Sequence, residues 1–321
     1  MFFSMLGRIC ATYILLLLTA CSSPKELHDS RFIMGTLVEF TVSDTDRTIA
    51  EQAIAEAANE MQRIEDSFTI YGDHPNSVKL FNISAVDHPV SLPDEVSKLL
   101  ETALAVQQQS GNRFNPALAR LNLLWGFSLD PPPNAPPSDL AIRTAIPPSE
   151  CIKHIAKQWA RSDRRCQLDF GGIAKGYAID RGIDILKKHG IANAIINAGG
   201  DMRLIGQHHQ QPWKIGIRHP RKAGSVLSSL SLQGDVSIVT SGDYERFFIY
   251  QGKQYHHILD PKNGYPARKN QSITVIAPSA MLADAWSTAL FVGSPATVPS
   301  AIRFLSVSSS GHIVDNLRIK K

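Results

Sequence analysis

Hydrophobic and polar residues follow a clear order in the first half of the chain. Residues 31–42 alternate between the two kinds, which is typical of a half-buried strand. Residues 44–64 then carry apolar side chains at helical spacing, at Ile49, Ala53, Ala57, Met61 and Ile64. Residues 94–110 repeat that spacing and are followed by Gly111, a residue type that often ends helices. The pattern therefore predicts a strand followed by two helices.

The second half of the chain alternates short strands with fewer helices. Runs rich in Val and Ile predict strands at residues 194–197, 202–206, 213–218, 236–240, 246–250, 272–277 and 312–314. Helical spacing predicts helices at residues 179–189, 280–292 and 295–305. Mostly antiparallel strands with helices packed on a face indicate an α+β fold, or mixed α/β, whose sheets are largely antiparallel or mixed.

A proline-rich segment, residues 130–148, lies between the two halves. Proline removes backbone donors and the segment has few large apolar side chains, so we expect a surface loop that adds nothing to a core. Motifs with ligand character lie on both sides of this segment. Residues 31–321 are therefore predicted to form a single domain.

The N-terminus has the features of a targeting segment. Arg8 supplies a positive charge, residues 11–18 are largely apolar, and the sequence Leu-Thr-Ala-Cys ends at Cys21. That tetrapeptide resembles a bacterial lipoprotein signal. The resemblance implies a signal peptide over residues 1–20, a lipid on Cys21 and a polar tether over residues 21–30. A plain signal peptide or an N-terminal membrane helix is the alternative.

Composition excludes some classes of partner and leaves the state of two cysteines open. The 321 residues carry a formal charge of only +4 and no dense basic stripe, so we expect no nucleic-acid partner. Of the four cysteines, Cys10 falls in the signal peptide and Cys21 takes the lipid, which leaves Cys151 and Cys166. These two form either a disulfide or a pair of buried thiols.

Residues 168–180 hold the most informative motif of the chain. An apolar start runs into Gly171 and Gly172 and then into Lys175 at the opening of a predicted helix. Glycines allow backbone N–H groups to approach a ligand closely, and a helix start with a lysine attracts anions. The motif predicts a phosphate-binding turn, although an ordinary strand-to-helix turn has the same pattern. A dinucleotide fingerprint with spaced single glycines is missing from the sequence.

Further motifs follow in a fixed order and together resemble one family. They are Met-Gly-Thr at residues 34–36, Asn-Ala-Gly-Gly-Asp at 197–201, Thr-Ser-Gly-Asp-Tyr-Glu-Arg at 240–246, the histidine segment 256–266 and the polar helix positions 284–288. With residues 169–180, this set resembles the ApbE family of FAD:protein FMN transferases. The resemblance implies transfer of FMN from FAD to a Thr or Ser hydroxyl of an acceptor protein, with release of AMP.

A divalent metal site is predicted from the polar residues of the last motif. Asp284 and Thr288 are four residues apart on a predicted helix, so their oxygens face the same side, and Ser287 is adjacent. Hard oxygen ligands of this kind suit Mg²⁺. The family resemblance adds a backbone carbonyl ligand from Gly172, and it includes Ser287 at a position where relatives also carry Asp.

The resemblance also implies the residues that surround FAD and the group that handles the proton. The implied FAD contacts are Met34, Tyr71, Arg113, Phe114, Asn115, Asp169, Lys175 and Ile258. His257 is the implied base or positioning group, because imidazole accepts a proton near neutral pH. Asp243 and Asp260 are alternative bases. The chain has Asn115 where the family often has Asp, and Asn263 where the family usually has Thr.

Two other functions use some of the same residues. A metal-dependent FAD pyrophosphatase would pass the FMN part to water, and a non-catalytic FAD-binding lipoprotein would need neither His257 nor Asp284. The transferase reading implies acceptor redox proteins, such as respiratory redox-pump subunits, that carry a Ser/Thr-Gly-Ala-Thr-like segment. It also implies a lipid-anchored protein of the bacterial periplasm, with the inner membrane favoured slightly over the outer membrane.

Overall fold

A computed structural model describes residues 26–317 of the chain. The signal peptide and Cys21 lie outside the described residues. The helices are α1 Arg47–Phe68, α2 Ser77–Ile83, α3 Asp94–Gln109, α4 Ala119–Trp125, α5 Asp139–Ala145, α6 Ala174–Lys188 and α7 Ala280–Val292. The strands are β1 Glu26–Ile33, β2 Thr36–Ser43, β3 Ile152–Ile155, β4 Gln158–Arg161, β5 Ala194–Ala198, β6 Asp201–Ile205, β7 Trp213–Arg218, β8 Val226–Leu232, β9 Val236–Gly242, β10 Phe247–Tyr250, β11 Lys253–His256, β12 Asn270–Ala277, β13 Arg303–Ser308 and β14 Ile313–Asp315.

An antiparallel sheet forms the centre of the fold. Its eight strands lie in the order β1-β2-β5-β6-β9-β12-β13-β14. Helices α1, α6 and α7 belong to the large core on one side of this sheet. The β7–β8 hairpin packs its side chains Trp213, Ile215 and Leu230 into a second core. The predicted α+β class with largely antiparallel sheets is confirmed.

Two contacts fix the long helices in place. Helix α1 begins after Asp46, whose carboxylate accepts the backbone N–H of Thr48 at 2.9 Å and so caps the helix start. Helices α6 and α7 approach so closely that a Cβ on Gly176 would lie 2.1 Å from the carbonyl oxygen of Ala280. Only glycine fits at this crossing, and the crossing brings two of the sequence motifs together.

Asp180 joins the same two helices through hydrogen bonds. Its carboxylate on α6 accepts the backbone N–H groups of Ala280 at 2.8 Å and Met281 at 2.9 Å, at the start of α7. It also forms an ion pair with Arg203 of β6 at 2.7 Å. The orientation of α7 is therefore held by a buried carboxylate of the motif at residues 168–180.

The structure corrects four predictions about elements. The predicted strand over residues 31–42 is interrupted by a turn at residues 34–35 and belongs to two antiparallel strands, β1 and β2. Strand β1 begins at Glu26, so the second half of the predicted tether pairs with β2. The proline-rich segment 130–148 contains helix α5, whose residues Ile142 and Ala145 are buried in an aromatic cluster with Trp125. Residues 295–305 form no helix: they include two prolines and lead into β13, where alternate residues are buried.

The structure answers the open question on the two cysteines, whereas the N-terminal segment, with its alternative of a membrane helix, lies outside the described residues. Cys151 and Cys166 form a disulfide that ties the start of the β3–β4 hairpin to the segment after it. None of the described helices is both long and apolar enough to cross a bilayer.

Candidate active site

A cavity of about 370 Å³ lies where the motifs meet. Its walls come from the β1–β2 turn, the start of α6, the side of α7 and the segment after β11. The sequence-predicted site residues that line it are Met34, Tyr71, Arg113, Phe114, Asn115, Asp169, Gly172, Lys175, His257, Ile258, Asp284 and Thr288. Ser287 does not line it. The structure thus gathers residues from widely separated parts of the chain around one space.

The side chains of Asp284 and Thr288 on α7 lie beside the glycine turn at one corner of the cavity. A Cβ on Gly172 would lie 3.3 Å from the hydroxyl oxygen of Thr288, so the turn backbone lies directly against that side chain. The Oδ2 atom of Asp284 accepts the backbone N–H of Gly176 at 3.0 Å. Carboxylate, hydroxyl and backbone carbonyl oxygens are the kinds of ligand that suit Mg²⁺, and this corner has a residue able to supply each.

The electrostatics of this corner favour a cation. Burial, together with the neighbouring carboxylate of Asp201, raises the pKa of Asp284 to about 7, although Lys175 acts in the opposite direction. A buried carboxylate with so high a pKa lacks sufficient positive charge around it. A divalent ion bound by Asp284 would supply that charge, so the donor set fits the metal that the sequence predicts.

Lys175 and Asp201 form an ion pair inside the cavity. The Lys175 Nζ lies 2.5 Å from Oδ2 of Asp201, whose side chain is almost fully buried. Burial lowers the pKa of Lys175, but Asp201 and Asp284 outweigh this effect and raise it, so the ammonium stays charged. Asp201 also accepts the backbone N–H of Thr240 at 3.1 Å, which fixes the carboxylate beside the neighbouring strand β9.

Ser287 faces away from the cavity. Its hydroxyl donates to the carbonyl oxygen of Asp284 at 2.8 Å and lies 2.7 Å from the hydroxyl of Ser241. The side chain is fully buried between α7 and β9. Its hydroxyl is thus already engaged in packing the helix on the sheet, and we leave it out of the ligands proposed below.

The turn between β1 and β2 presents Met34 to the cavity. Met34 and Gly35 form a two-residue loop in which both φ angles are positive, 57° and 68°. This conformation is unfavourable for Met. The backbone N–H of Met34 donates to Glu65 of α1 at 2.7 Å, which holds the turn against the helix.

Asp169 and Tyr71 occupy another wall of the cavity. Asp169 accepts hydrogen bonds from Asn122 at 2.6 Å and from the backbone of Gly171 at 2.8 Å. Burial raises the pKa of Asp169, and burial together with the Asp169 carboxylate raises that of Tyr71. The Asp169 side chain is therefore fixed by the residues beside it and keeps its orientation toward the cavity.

The segment 113–115 has a partly structural role. Phe114 belongs to the main core and contacts the Gly172 turn, where a Cβ would lie 3.2 Å from its ring. The Asn115 oxygen accepts the backbone N–H of Ala117 at 2.8 Å, and its amide donates to Asn112. Arg113 donates to the carbonyl of Ser110 at 2.7 Å. These bonds hold the loop that forms one side of the cavity.

His257 lies at the cavity wall, and the neighbouring His256 points elsewhere. The His256 ring is buried and lies 2.7 Å from the carbonyl oxygen of Ala267, as expected for adjacent residues at a strand end. Burial and the charge of Arg246 lower the pKa of His257 to about 3. The pKa of His257 is thus far below the near-neutral value expected from the sequence, first because the ring is buried and second because Arg246 places a positive charge beside it.

The two alternative bases are engaged outside the cavity lining. Asp243 forms a two-pronged ion pair with Arg221 at 2.6 and 2.7 Å. Asp260 accepts the backbone N–H of Lys262 at 2.9 Å and the amide of Asn263 at 3.2 Å within a tight turn. Among the three residues considered for proton transfer, only His257 lines the cavity.

Arg246 and Asp201 are cavity residues to which the sequence analysis gave no role. The Arg246 guanidinium lies beside the β1–β2 turn, where a Cβ on Gly35 would be 3.5 Å away, and its backbone carbonyl accepts the N–H of His257 at 3.1 Å. Both residues stand at the ends of motifs that were recognised, at 240–246 and 197–201. Membership of those motifs was therefore the feature of the sequence from which a role for Arg246 and Asp201 could have been predicted.

Comparisons with known proteins agree with this architecture. The sequence profile of the family described as the ApbE family matches residues 34–308. A FAD:protein FMN transferase of Klebsiella pneumoniae strain 342 is 33% identical over 268 residues, which cover 82% of this chain and 81% of that protein. One from Treponema pallidum is 32% identical, with 84% and 79% covered.

Solved structures show the same fold. The crystal structure of the ApbE protein from Thermotoga maritima matches with a TM-score of 0.80 and 32% identity, over 91% of this chain and 97% of that one. The apo form of a Pseudomonas stutzeri flavinyl transferase matches with a TM-score of 0.75 and 26% identity, over 90% and 93%. The similarity extends over nearly the whole described chain.

Proposed function

Because the chain belongs to the ApbE family and is a transferase, we propose that it moves the FMN part of FAD onto a Thr or Ser hydroxyl of an acceptor protein in a Mg²⁺-dependent reaction. The P–O–P bond of FAD breaks, a P–O bond to the acceptor oxygen forms, and AMP leaves. The hydroxyl proton passes to a base. The observation that carries the proposal is the meeting of Asp284, Thr288, the Gly172 turn and Lys175 around one cavity.

Two groups of cavity residues would act on the diphosphate of FAD: the metal corner, formed by Asp284, Thr288 and the Gly172 turn, and the cationic residues Lys175 and Arg246. Asp284, Thr288 and the backbone carbonyl of Gly172 would hold Mg²⁺, which neutralises charge on phosphate oxygens when bound. Lys175 is held charged by Asp201 and faces the same space. Arg246 adds a second positive charge on the wall that carries His257. These groups suit a pyrophosphate whose negative charge increases as its bond breaks.

His257 is the proposed acceptor of the hydroxyl proton. Its ring is neutral at physiological pH, so a nitrogen lone pair is available. The binding of a dianionic diphosphate beside it opposes the charge of Arg246 and raises its proton affinity. His257 thus becomes a better base when the substrate is in place.

The remaining cavity residues are proposed to hold the nucleotide. Met34 and Tyr71 offer flat or polarisable contacts for a ring system, and Asp169 accepts hydrogen bonds from a ring N–H or a ribose hydroxyl. Ile258 closes the wall beside His257. The loop at Arg113, Phe114 and Asn115 forms the facing side.

A direct assay separates this function from its alternatives. The purified protein is mixed with FAD, MgCl₂ and an acceptor that carries a Ser/Thr-Gly-Ala-Thr-like segment. A transferase yields an acceptor that is fluorescent and heavier by the mass of FMN less water, with one AMP per flavin. Free FMN with AMP would identify a pyrophosphatase, and unchanged FAD would identify a carrier. Either of these two results would overturn the proposal.

We further propose that Cys21 carries a lipid and anchors the protein at the periplasmic face of the inner membrane, where respiratory redox subunits would be its acceptors. Support comes from the tetrapeptide that ends at Cys21. Mass spectrometry of the mature N-terminus tests the lipid, and membrane fractionation tests the location. A Cys21→Ser variant should leave the membrane fraction.

A further inference from the structure

Three histidines converge on one glutamate at the start of β1, at the end of that strand opposite the Met34 turn. The Nε2 atom of His208 lies 2.6 Å from Oε2 of Glu26, and that of His209 lies 3.4 Å from the same oxygen. His28 places its Nε2 2.6 Å from the other oxygen, Oε1. A nitrogen of each of His208 and His209 and a carboxylate oxygen of Glu26 lie within 4.8 Å of one another. This group is called the Glu26 cluster below.

Two rings of the cluster, those of His209 and His28, are oriented by partners on their far sides. His209 turns its Nδ1 to the carboxylate of Asp44 at 3.1 Å, while its Nε2 faces Glu26. His28 turns its Nδ1 to the hydroxyl of Thr41 at 3.1 Å. A carboxylate that binds the outer nitrogen of an imidazole is the usual support of a metal-ligating histidine, because it fixes the tautomer and the ring orientation.

The backbone around His208 and His209 also fixes their positions. His208 and Gln211 exchange two backbone hydrogen bonds of 2.7 and 2.9 Å, which close a tight two-residue turn. His209 and Gln210 occupy that turn with positive φ angles of 47° and 65°. The ring of His208 stacks on Trp213, with centroids 4.8 Å apart. The two imidazoles are therefore held in place before any ligand arrives.

We propose that the Glu26 cluster is a binding site for a divalent transition-metal ion of the zinc and copper type, with Glu26, His208 and His209 as ligands. Imidazole nitrogens favour such ions, whereas Mg²⁺ and Ca²⁺ prefer oxygen. Ligand atoms around a tetrahedral ion with bonds of about 2.1 Å lie about 3.4 Å apart, so the side chains need only small shifts to bind one. Three protein ligands leave one position of a tetrahedral ion for water.

The charge of the cluster supports a cation there. Glu26 brings a carboxylate to the two imidazoles of the 208–209 turn, and Asp44 brings a second carboxylate to the outer nitrogen of His209. An ion bound by Glu26 and the 208–209 turn would join the first residue of β1 to the β6–β7 connection. The ion would therefore stabilise the attachment of β1, the edge strand, to the rest of the sheet.

The site is separate from the catalytic cavity. None of its ligands lines that cavity, and β1 extends for eight residues from Glu26 to Ile33 before the Met34 turn begins. At about 3.3 Å per residue, the two sites are roughly 25 Å apart along the strand. Occupancy of one is therefore distinguishable from occupancy of the other by substitution.

Zinc titration of the metal-stripped full chain tests the proposal. The Asp284→Ala background removes the metal corner of the cavity, and ZnCl₂ alone is added in a calorimeter. We expect one Zn²⁺ per chain, little heat from MgCl₂ over the same range, and a thermal midpoint that rises with Zn²⁺. His208→Ala and His209→Ala should each weaken Zn²⁺ binding at least tenfold, and Asp44→Asn should weaken it by roughly tenfold.

A matched control uses His312, an exposed histidine between β13 and β14. His312→Ala should leave Zn²⁺ affinity unchanged. In the chain that keeps Asp284, the two cluster variants should retain flavin transfer with FAD and MgCl₂. Their far-ultraviolet spectrum should also be unchanged, which shows that they fold. Absence of stoichiometric Zn²⁺ binding, or equal weakening by His312→Ala and His208→Ala, would overturn the site. Glu26→Gln provides a further ligand variant should a histidine variant be unstable.

Discussion

The backbone N–H of Gly176 donates a hydrogen bond of 3.0 Å to the carboxylate of Asp284, across the crossing of α6 and α7. This bond joins two motifs that are more than one hundred residues apart in the chain. It orients the proposed metal ligand toward the glycine turn. The position of the Asp284 carboxylate thus depends on how closely the two helices approach.

Asp284→Ala should reduce flavin transfer by at least a hundredfold while FAD binding weakens only modestly. The carboxylate is the sole charged member of the proposed ligand set, and the charge that it positions acts mainly on the transition state. The measurement is the rate of fluorescent labelling of the acceptor at saturating Mg²⁺, beside FAD affinity from fluorescence quenching.

Ser287→Ala is the matched control for that variant, because Ser287 lies on the same helix, between the proposed ligands Asp284 and Thr288, and does not line the cavity. Because Ser287 bonds Ser241 and faces away from the cavity, its loss should lower stability slightly and leave transfer within a few-fold of the wild type. A hundredfold loss of transfer in Ser287→Ala would mean that this hydroxyl binds the metal after all.

Gly176→Ala should destabilise the protein by about 1–3 kcal/mol, because the added methyl group meets the backbone of Ala280 and forces α7 away. Transfer should fall as well, since the Gly176 N–H loses its alignment with Asp284. Urea denaturation measures the first effect. Gly182→Ala on the same helix is the comparison: its Cβ meets the flexible end of Ile196, so we expect a smaller loss. Equal losses would argue against a special role for the crossing.

Glu65→Ala should weaken FAD binding by about two- to tenfold, which corresponds to the loss of one hydrogen bond that holds a strained turn. Without Glu65, the Met34 N–H has lost its acceptor and the turn relaxes away from the cavity. FAD titration measures the effect. Asp66→Ala, an exposed neighbour on α1, should bind FAD as the wild type does. Unchanged affinity in Glu65→Ala would show that the Met34 turn does not contact the nucleotide.

The part of the unfolding free energy that is linked to His257 should fall as the pH drops below about 6.5. The pKa of His257 is lowered from 6.5 to about 3 in the folded chain, so between these values the unfolded chain binds a proton that the folded chain does not. The stability linked to His257 is complete above pH 6.5 and is lost as the pH falls toward 3. Urea midpoints at pH 7.5 and 5.0 measure the change.

His257→Gln should reduce that acid-induced loss, and His312→Gln, at an exposed position, should not. The raised pKa of Asp284 acts in the opposite direction, because the folded chain then binds the extra proton between 3.8 and about 7. The difference between variant and wild type therefore isolates the histidine. An identical pH dependence in His257→Gln would contradict the lowered pKa.

Periodicity predicted the regular elements well and the irregular ones poorly. Helix α1 was visible because four turns of apolar residues lie on one face, and β9 because it is rich in Val and Ile. Helix α5 was missed because the prolines on both sides of it made the segment resemble a loop. Its residue Ile142 is nevertheless buried in the aromatic cluster. Residues 295–305 resembled a helix only because apolar residues of a loop and of β13 fell at similar spacing.

The residues of the site were predicted from sequence motifs, whereas the contacts between them could be seen only in the structure. Residues such as Asp284 and Lys175 were recognisable because their motifs have a fixed order along the chain. The ion pair of Lys175 with Asp201, and the effect of Arg246 on His257, depend on which side chains meet in space. Neither pairing leaves a trace in local sequence, because the partners of each pair are at least eleven residues apart in the chain and meet only in the folded protein.

Strand β1 has a consequence for how the protein meets its acceptors. Only four residues separate Cys21 from Glu26, and from there the strand runs straight to the turn at the cavity mouth. Under the proposed anchoring, the lipid and the cavity are joined by only these four residues and by β1, so the length of the strand limits how far the cavity lies from the bilayer. Acceptors would then be selected by the elevation of their threonine over the lipid as well as by its sequence.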